Sequence, residues 1–292
     1  MRIKYGRGDI VPQIIVFTFI TLMTVVCLYP LLYVASMSIS DPMEIARKPV
    51  VLLPRGFSLM AMRKLFENQK IWQYYGNTIL YTVVGVLINV FMTVIFAYPL
   101  SRKDFSGRKP LMVFATFTML FAPGLIPSYM MVTNLGLYNT MWALVLPGAI
   151  SVFNFILART FFAGLPDSLN ESAKLDGAND FMILARIILP VSKAILSTLV
   201  IYYAVGHWNS YVNAMLYQPD SSKHSLQMFL VRILINNDPA LISEFAISVD
   251  RFFISEQLKY AVIVISVLPI MCVYPFFQKH FAKGVMLGSL KE

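Results

Sequence analysis

Long stretches of the chain carry no ionised side chain, and the rest of its polar residues gather between them. No Asp, Glu, Lys or Arg occurs from Ile10 to Ser40, Ile71 to Ser101, Pro110 to Ala158, Ala194 to Pro219 or Tyr260 to Gln278. About 20 apolar residues cross the hydrocarbon core of a bilayer, and a charge at that depth is costly. The third interval is too long for one helix, and "VTNLGLYNT" (Val132 to Thr140) supplies a turn-rich break near its middle. The pattern therefore predicts an all-α, polytopic membrane protein with six helices, over residues 12–36, 77–100, 110–131, 140–162, 194–217 and 258–278. With no repeat, low-complexity run or linker, residues 1–292 read as one helical domain.

Composition agrees: 58% of the 292 residues are hydrophobic and 13% are charged, against roughly 25% charged in a soluble domain. The basic start "MRIKYGR" followed by an apolar run has the outline of a signal peptide. The run is too long for one and no small-x-small cleavage site stands out, so a retained helix is expected.

Lys and Arg in short loops set the orientation. Arg2, Lys4 and Arg7 precede span one, Arg102, Lys103, Arg108 and Lys109 follow span two, and Lys279, Lys283 and Lys291 follow span six. Both termini are expected in the cytoplasm. The outer loop of residues 37–70 argues weakly against this with Arg47, Lys48, Arg55, Arg63, Lys64 and Lys70, offset by Asp41, Glu44 and Glu67. The net charge of +9 then reads as topology and contact with anionic membrane lipid, and no nucleic acid is needed to explain it. Cys27 and Cys272 fall inside predicted spans, and His207, His224 and His280 lack metal-ligand spacing, so neither a disulfide nor a metal site is expected.

Several features are expected between and within the spans. "SISDPMEI" and "LLPRGFS" suggest extended or turning chain before a surface helix near 59–70, and "KHSLQMFLVRIL" suits a short interfacial helix. Pro123, Pro127 and Pro147 beside Gly148 remove backbone donors and can kink their helices. Such bends either line a cavity or are packing irregularities.

The inner loop of about 165–190 carries the most specific pattern. Ser168 with Glu171 three places on forms a capping-box pattern for a first helix, Gly177 permits a tight turn, and a second helix from Asn179 or Asp180 presents Phe181, Leu184 and Ile188 until Pro190 closes it. Local capping by Glu171 and termination by Gly177 would explain the polar residues. They leave the apolar stripe without a cover, and another protein is a natural one.

Glu171, Ser172 and Ala173, three intervening residues, Gly177, nine residues, then Ile187, Ile188, Leu189 and Pro190 resemble the coupling-loop signature of ABC importer permeases. Ser172 alone departs, as one small residue for another. The likeness extends through "YYGNTILYT", "AYPLSR", "IPSYMMVTNLGLYNT", "HWNSY" and "KGVMLGSLKE", which resemble the carbohydrate-uptake branch and the second permease subunit of the maltose importer. The opening "KYGRGDIVPQIIVFTFITLMTVVCLYPLLYVASMSISDP" is most similar to a subgroup for complex oligosaccharides that includes an alginate importer.

The resemblance implies a type I importer transmembrane domain that alternates access when its coupling helix is moved by an ATPase. Glu171, Ser172, Ala173, Asp176, Gly177, Phe181, Leu184 and Pro190 would form the coupling site, with Phe181 and Leu184 packed into the ATPase cleft. It also implies a second, non-identical permease subunit, two ATPase subunits that hold ATP and Mg, and an extracytoplasmic solute-binding protein on loops 37–76 and 218–257. The "KGVMLGSLKE" tail would reach between the ATPase subunits. No cofactor is expected on this chain. It lacks G-x-x-x-x-G-K-[ST], and its spans lack the Asp or Glu of a proton relay.

For the substrate route, Tyr203, His207, Trp208, Asn209 and Asn213 in span five and Asn154 in span four offer aromatic and amide partners for a saccharide. Asn209 and Asn213 would share one helix face; interhelical hydrogen bonding is the other account of such residues. A stand-alone secondary carrier or channel is the alternative function, one that would tolerate a bulky residue at Gly177. A membrane-embedded enzyme finds no clustered nucleophile, base or metal ligands here.

Overall fold

The computed structural model describes residues 10–48, 50–236 and 251–289. Among these residues every regular element is helical. They divide into two compact units: one takes its described residues from 1–69 and 232–268, the other from 70–231 and 269–292.

In the first unit, α1 (Ile10–Ile39) continues past the predicted span in both directions, running through Pro30. It is apolar on every side, and no part of its most hydrophobic window is buried. Its end is fastened instead. Gln257 lies on the final helix of the chain and donates its amide to the carbonyls of Ser38 (3.2 Å), Ser40 (2.9 Å) and Ser58 (2.8 Å). Tyr33 meets Tyr260 edge to face at 5.7 Å. The "SISDPMEI" segment becomes a cap followed by a short helix, α2 (Pro42–Arg47), whose first amides at Met43 and Glu44 are accepted by the Asp41 carboxylate. The expected surface helix is α3 (Met60–Glu67), with Ala61 and Leu65 turned inward.

The second unit is organised on α4 (Gln69–Ser101), a 33-residue helix whose buried residues Tyr74, Thr78, Tyr81, Gly85, Asn89, Thr93 and Ala97 recur every three or four positions. That spacing keeps them on one face. The three expected spans that follow are interrupted. Residues 110–131 form α5 (Arg108–Leu120) and α6 (Leu125–Asn134), which meet at 116°. Pro123 removes a donor at the bend and Gly124 takes φ +85°, so a continuous helix is not available to this sequence. Residues 140–162 give α7 (Trp142–Val145) and α8 (Val152–Ala163), separated by a turn around Pro147 and Gly148. At about 1.5 Å per residue, the 12 residues of α8 rise about 18 Å, short of a hydrocarbon core of about 30 Å.

Beyond α8 come α9 (Ser168–Leu175), α10 (Asp180–Ile183) and α11 (Leu189–Val191), then α12 (Lys193–Trp208) and α13 (Val212–Tyr217). The expected fifth span is thus also divided, at 209–211. Among the described residues, three helical stretches remain long and apolar enough to cross a bilayer unaided: Val11–Ile39, Gln69–Ser101 and Ser255–Val273.

"VTNLGLYNT" is a turn, with Gly136 at φ +69° and Asn139 at φ +58°. The Asn139 amide donates to Tyr217 O (2.8 Å), and its carbonyl accepts from Lys223 Nζ (2.7 Å). "KHSLQMFLVRIL" yields α14 (Leu226–Leu234), with Leu226, Phe229 and Ile233 buried. The last helix, α15 (Arg251–Ser289), passes through Pro269 and Pro275 and contains the sixth expected span. Residues 237–250 of the expected outer loop, the N-terminal cations and Lys291 lie outside the described residues.

Candidate coupling hairpin and intramembrane polar strut

The sequence-predicted site residues fall in two places. The first is the hairpin made by α9 and α10. Asp167, and not Ser168, occupies the cap position of α9, and it makes no side-chain cap bond. Its carboxylate is turned to Lys103 (3.2 Å) and Arg102 (3.7 Å), so the expected capping box does not form. At the other end Asp176 is the last half-helical residue. Gly177, at φ +79°, donates its amide to Lys174 O (3.1 Å), and Ala178 donates to Ala173 O (3.0 Å). These paired bonds are a Schellman closure, which needs a left-handed residue at the glycine position. A Cβ on Gly177 would meet no atom within 4 Å, so conformation and not space selects glycine.

Asn179 then caps α10, accepting from Met182 N at 2.8 Å. The helix widens into a π turn over Leu184–Ile188, and α11 carries it past Pro190 to Val191. The direction changes by 85° at Ser192, so Pro190 does not close the helix as expected. A widened turn accommodates a proline that has no amide to donate and would crowd the carbonyl four residues back.

The hairpin has two faces. Ala173, Ile183, Leu184 and Ile188 are buried in one apolar cluster with Val94, Ala97, Tyr98 and Leu100 of α4. Leu184, 7% exposed, is therefore covered by its own chain, which corrects the expectation that it awaits an outside partner. Glu171, Ser172, Asp176 and Gly177 are exposed, as is Phe181 at 72%. Leu175, at 88%, is an exposed apolar residue that the sequence reading missed. It lies two residues from buried Ala173, about 200° around the helix, and only that inward anchor reveals it.

Buried Tyr98 Oη donates to buried Asn170 Oδ1 at 2.9 Å. Around this bond Lys174 Nζ reaches Asp104 (3.4 Å) and Asp180 (3.7 Å), and Arg102 reaches Asp104 (3.5 Å). Slight burial works to raise the Asp104 carboxyl, but its backbone amide, Arg102 and Lys174 outweigh it and hold the carboxyl below the ordinary range. Exposed pairs are worth about 0–1 kcal/mol each, whereas each buried Leu or Ile contributes about 1.5–3 kcal/mol. Packing therefore holds the hairpin, and charge orients it. A cavity of about 440 Å³ opens beside it, lined by Ile95, Tyr98, Arg102, Asp104, Phe181 and Leu184.

The second place is a strut of polar side chains between α4, α12 and the turn that divides α7 from α8. Asn89 donates its amide to the carbonyls of Gly148 (2.7 Å) and Ala149 (2.9 Å), and its oxygen meets His207 Nε2. Tyr203 Oη lies 2.6 Å from Thr93 Oγ1 and accepts the Ser151 amide (3.1 Å). These contacts satisfy backbone groups that the broken helix leaves without partners, which is what makes the break tolerable in lipid. Gly85 faces the His207 ring so closely that a Cβ would collide with it.

Tyr203 and His207 are thus committed to interhelical bonds. Asn209 ends α12, and its amide donates to Val205 O (2.9 Å). Asn213 stands on α13 beyond the break, so the two asparagines do not share a helix face as expected. Asn154 is buried on α8. Trp208 lines a separate cavity of about 420 Å³ with Ile79, Val83, Val86, Val200 and Pro269, an apolar wall unsuited to hydroxyl groups. Asn89 and Thr93, missed in the sequence reading, are signalled by two polar residues four apart within an uncharged run.

The profile of the family described as "Binding-protein-dependent transport system inner membrane component" matches residues 4–287. The chain belongs to this family. Among its relatives, the polygalacturonan/rhamnogalacturonan transport system permease protein YtcP of Bacillus subtilis is 39% identical over 96% of this chain and 98% of its own. Protein LplC of the same organism is 42% identical over 91% and 90%. A crystal structure of a bacterial ABC transporter involved in the import of the acidic polysaccharide alginate has a chain that superposes with a TM-score of 0.86. That chain is 31% identical, with 96% of this chain and 100% of the other covered. The protein is an ABC importer permease subunit and not an enzyme; ATP hydrolysis belongs to a separate subunit. An EAA motif is typical of the family.

Proposed function

We propose that the chain is one six-span transmembrane domain of a heterodimeric permease that imports acidic oligosaccharides by alternating access. The second subunit is a non-identical permease, two ATPase subunits bind ATP and Mg, and a solute-binding protein delivers the saccharide to loops 37–76 and 218–257 from outside. Both termini face the cytoplasm. The saccharide assignment rests on the two relatives whose names specify uronate-type polymers, polygalacturonan/rhamnogalacturonan and alginate.

The observation that carries the mechanical reading is the hairpin's division of faces. Its inner face is packed into the chain, while Leu175 and Phe181 project beside exposed Glu171 and Asp176. Two apolar points within a charged rim suit a protein cleft. Glu171 would pair with a basic side chain of the ATPase, and the last residues of "KGVMLGSLKE", of which 290–292 lie outside the described residues, would reach between the ATPase copies.

The test is co-purification of the assembled complex followed by uptake into proteoliposomes. Phe181→Ser should lower retention of the ATPase about tenfold, as loss of an interface anchor does, with the thermal midpoint of the chain unchanged. Uptake of oligogalacturonate should require ATP and exceed that of a neutral oligosaccharide of equal length. ATP-independent uptake would establish the secondary-carrier alternative.

A further inference from the structure

The hairpin reaches the membrane helices by two routes. One is covalent, through α11 and the bend at Ser192 into α12. The other crosses to α4, whose last turns share an apolar cluster with Ala173, Ile183, Leu184 and Ile188. The buried Tyr98–Asn170 bond sits within that contact and fixes its register. Outside it, Arg102 and Lys103 embrace Asp167 at the start of α9. Lys174 ties Asp104 of the loop to Asp180 of α10, so one ammonium spans both sides of the Gly177 turn. Arg159 of α8 adds a bond to the Leu100 carbonyl at 3.2 Å.

We propose that the end of α4, residues 102–104 and the α9–α10 hairpin form one rigid lever, with Tyr98 and Asn170 as its positioning pair. A push on the hairpin tip then reaches α4 directly, as well as α12 along the chain. This inference rests on the reading that the hairpin meets an ATPase.

The lever has a definite far end. Asn89 lies nine residues before Tyr98, about 13 Å along the helix, and holds the carbonyls of Gly148 and Ala149. Thr93, between them, shares a hydrogen bond with Tyr203, the acceptor of the Ser151 amide. Displacement of α4 therefore bears on the turn between α7 and α8 without passing through the bend at Ser192.

The test uses the assembled complex in proteoliposomes, with Cys27 and Cys272 replaced by Ser and a Lys103→Cys, Asp167→Cys pair joined by a short bifunctional thiol reagent. The readout is transport and ATP hydrolysis by the same preparation before and after joining. A rigid lever keeps both rates, because the joined residues do not move relative to one another. A loss of transport of about tenfold or more, within the range of site-to-site coupling, with the ATPase still bound, overturns the proposal. Tyr98→Phe gives the second measurement: transport per ATP hydrolysed should fall about fivefold, the equivalent of one hydrogen bond, while an unchanged ratio counts against the lever. Absence of the ATPase from the unmodified complex would sink the docking reading itself.

Discussion

The hairpin and the strut use similar side chains for opposite ends. In the hairpin, apart from the buried Tyr98–Asn170 bond, the charged groups lie outside an apolar contact, and water screens them, so Arg102, Lys103 and Lys174 steer a structure that packing already holds. In the strut, Asn89 and Tyr203 are buried among membrane helices and satisfy backbone groups with no solvent to replace them. A polar residue's importance here follows from what would replace its partner when it is lost.

The largest expected effect breaks the strut. Asn89→Ala leaves two carbonyls and one face of His207 without their partner, and each unsatisfied buried group costs about 1–3 kcal/mol. A marked drop in thermal midpoint of the purified protein should result; an unchanged midpoint would show that the break holds itself. Gly177→Ala should have a smaller effect of about 1–2 kcal/mol, from forcing a left-handed conformation on a residue with a Cβ. Because no neighbour is displaced, the strain should act only at the hairpin turn, read as a modest drop in thermal midpoint together with lower transport per ATP hydrolysed.

The smallest effect is electrostatic. The Asp104 carboxyl is held below its ordinary value, so its ion pairs stabilise the hairpin fully above that value. The contribution disappears as pH falls through the lowered folded-state value. Between neutral and acid pH, the difference in thermal midpoint between the parent and Asp104→Asn should narrow, and added salt should narrow it at neutral pH as well. A difference independent of both pH and salt would contradict a screened ion-pair array.

The same contrast explains what could be read in advance. The hairpin's helices, its glycine turn and the start of its second helix near Asn179 were legible because each depends on neighbours in sequence. Ser168 failed as a cap because Asp167 precedes it and is drawn to cations about 64 positions away. The breaks at 121–124 and 146–151 were signalled by Pro and Gly, but hydropathy alone joined the pieces into continuous spans. Only the partners of Asn89, 59 and 60 residues downstream, show why the second break can persist. The division at 209–211 had no Pro or Gly to announce it.

A rod that is oily on all sides has no preferred face, and α1 is such a rod along most of its length. Spinning about its own axis changes little in its surroundings, so its aim depends on its foot, where one carboxamide reaches three serine carbonyls. An amide nitrogen has two hydrogens, so at least one of those bonds is shared. The grip, with Tyr33 set against Tyr260 one turn above it, therefore fixes both the place of the foot and the rotation of the mast.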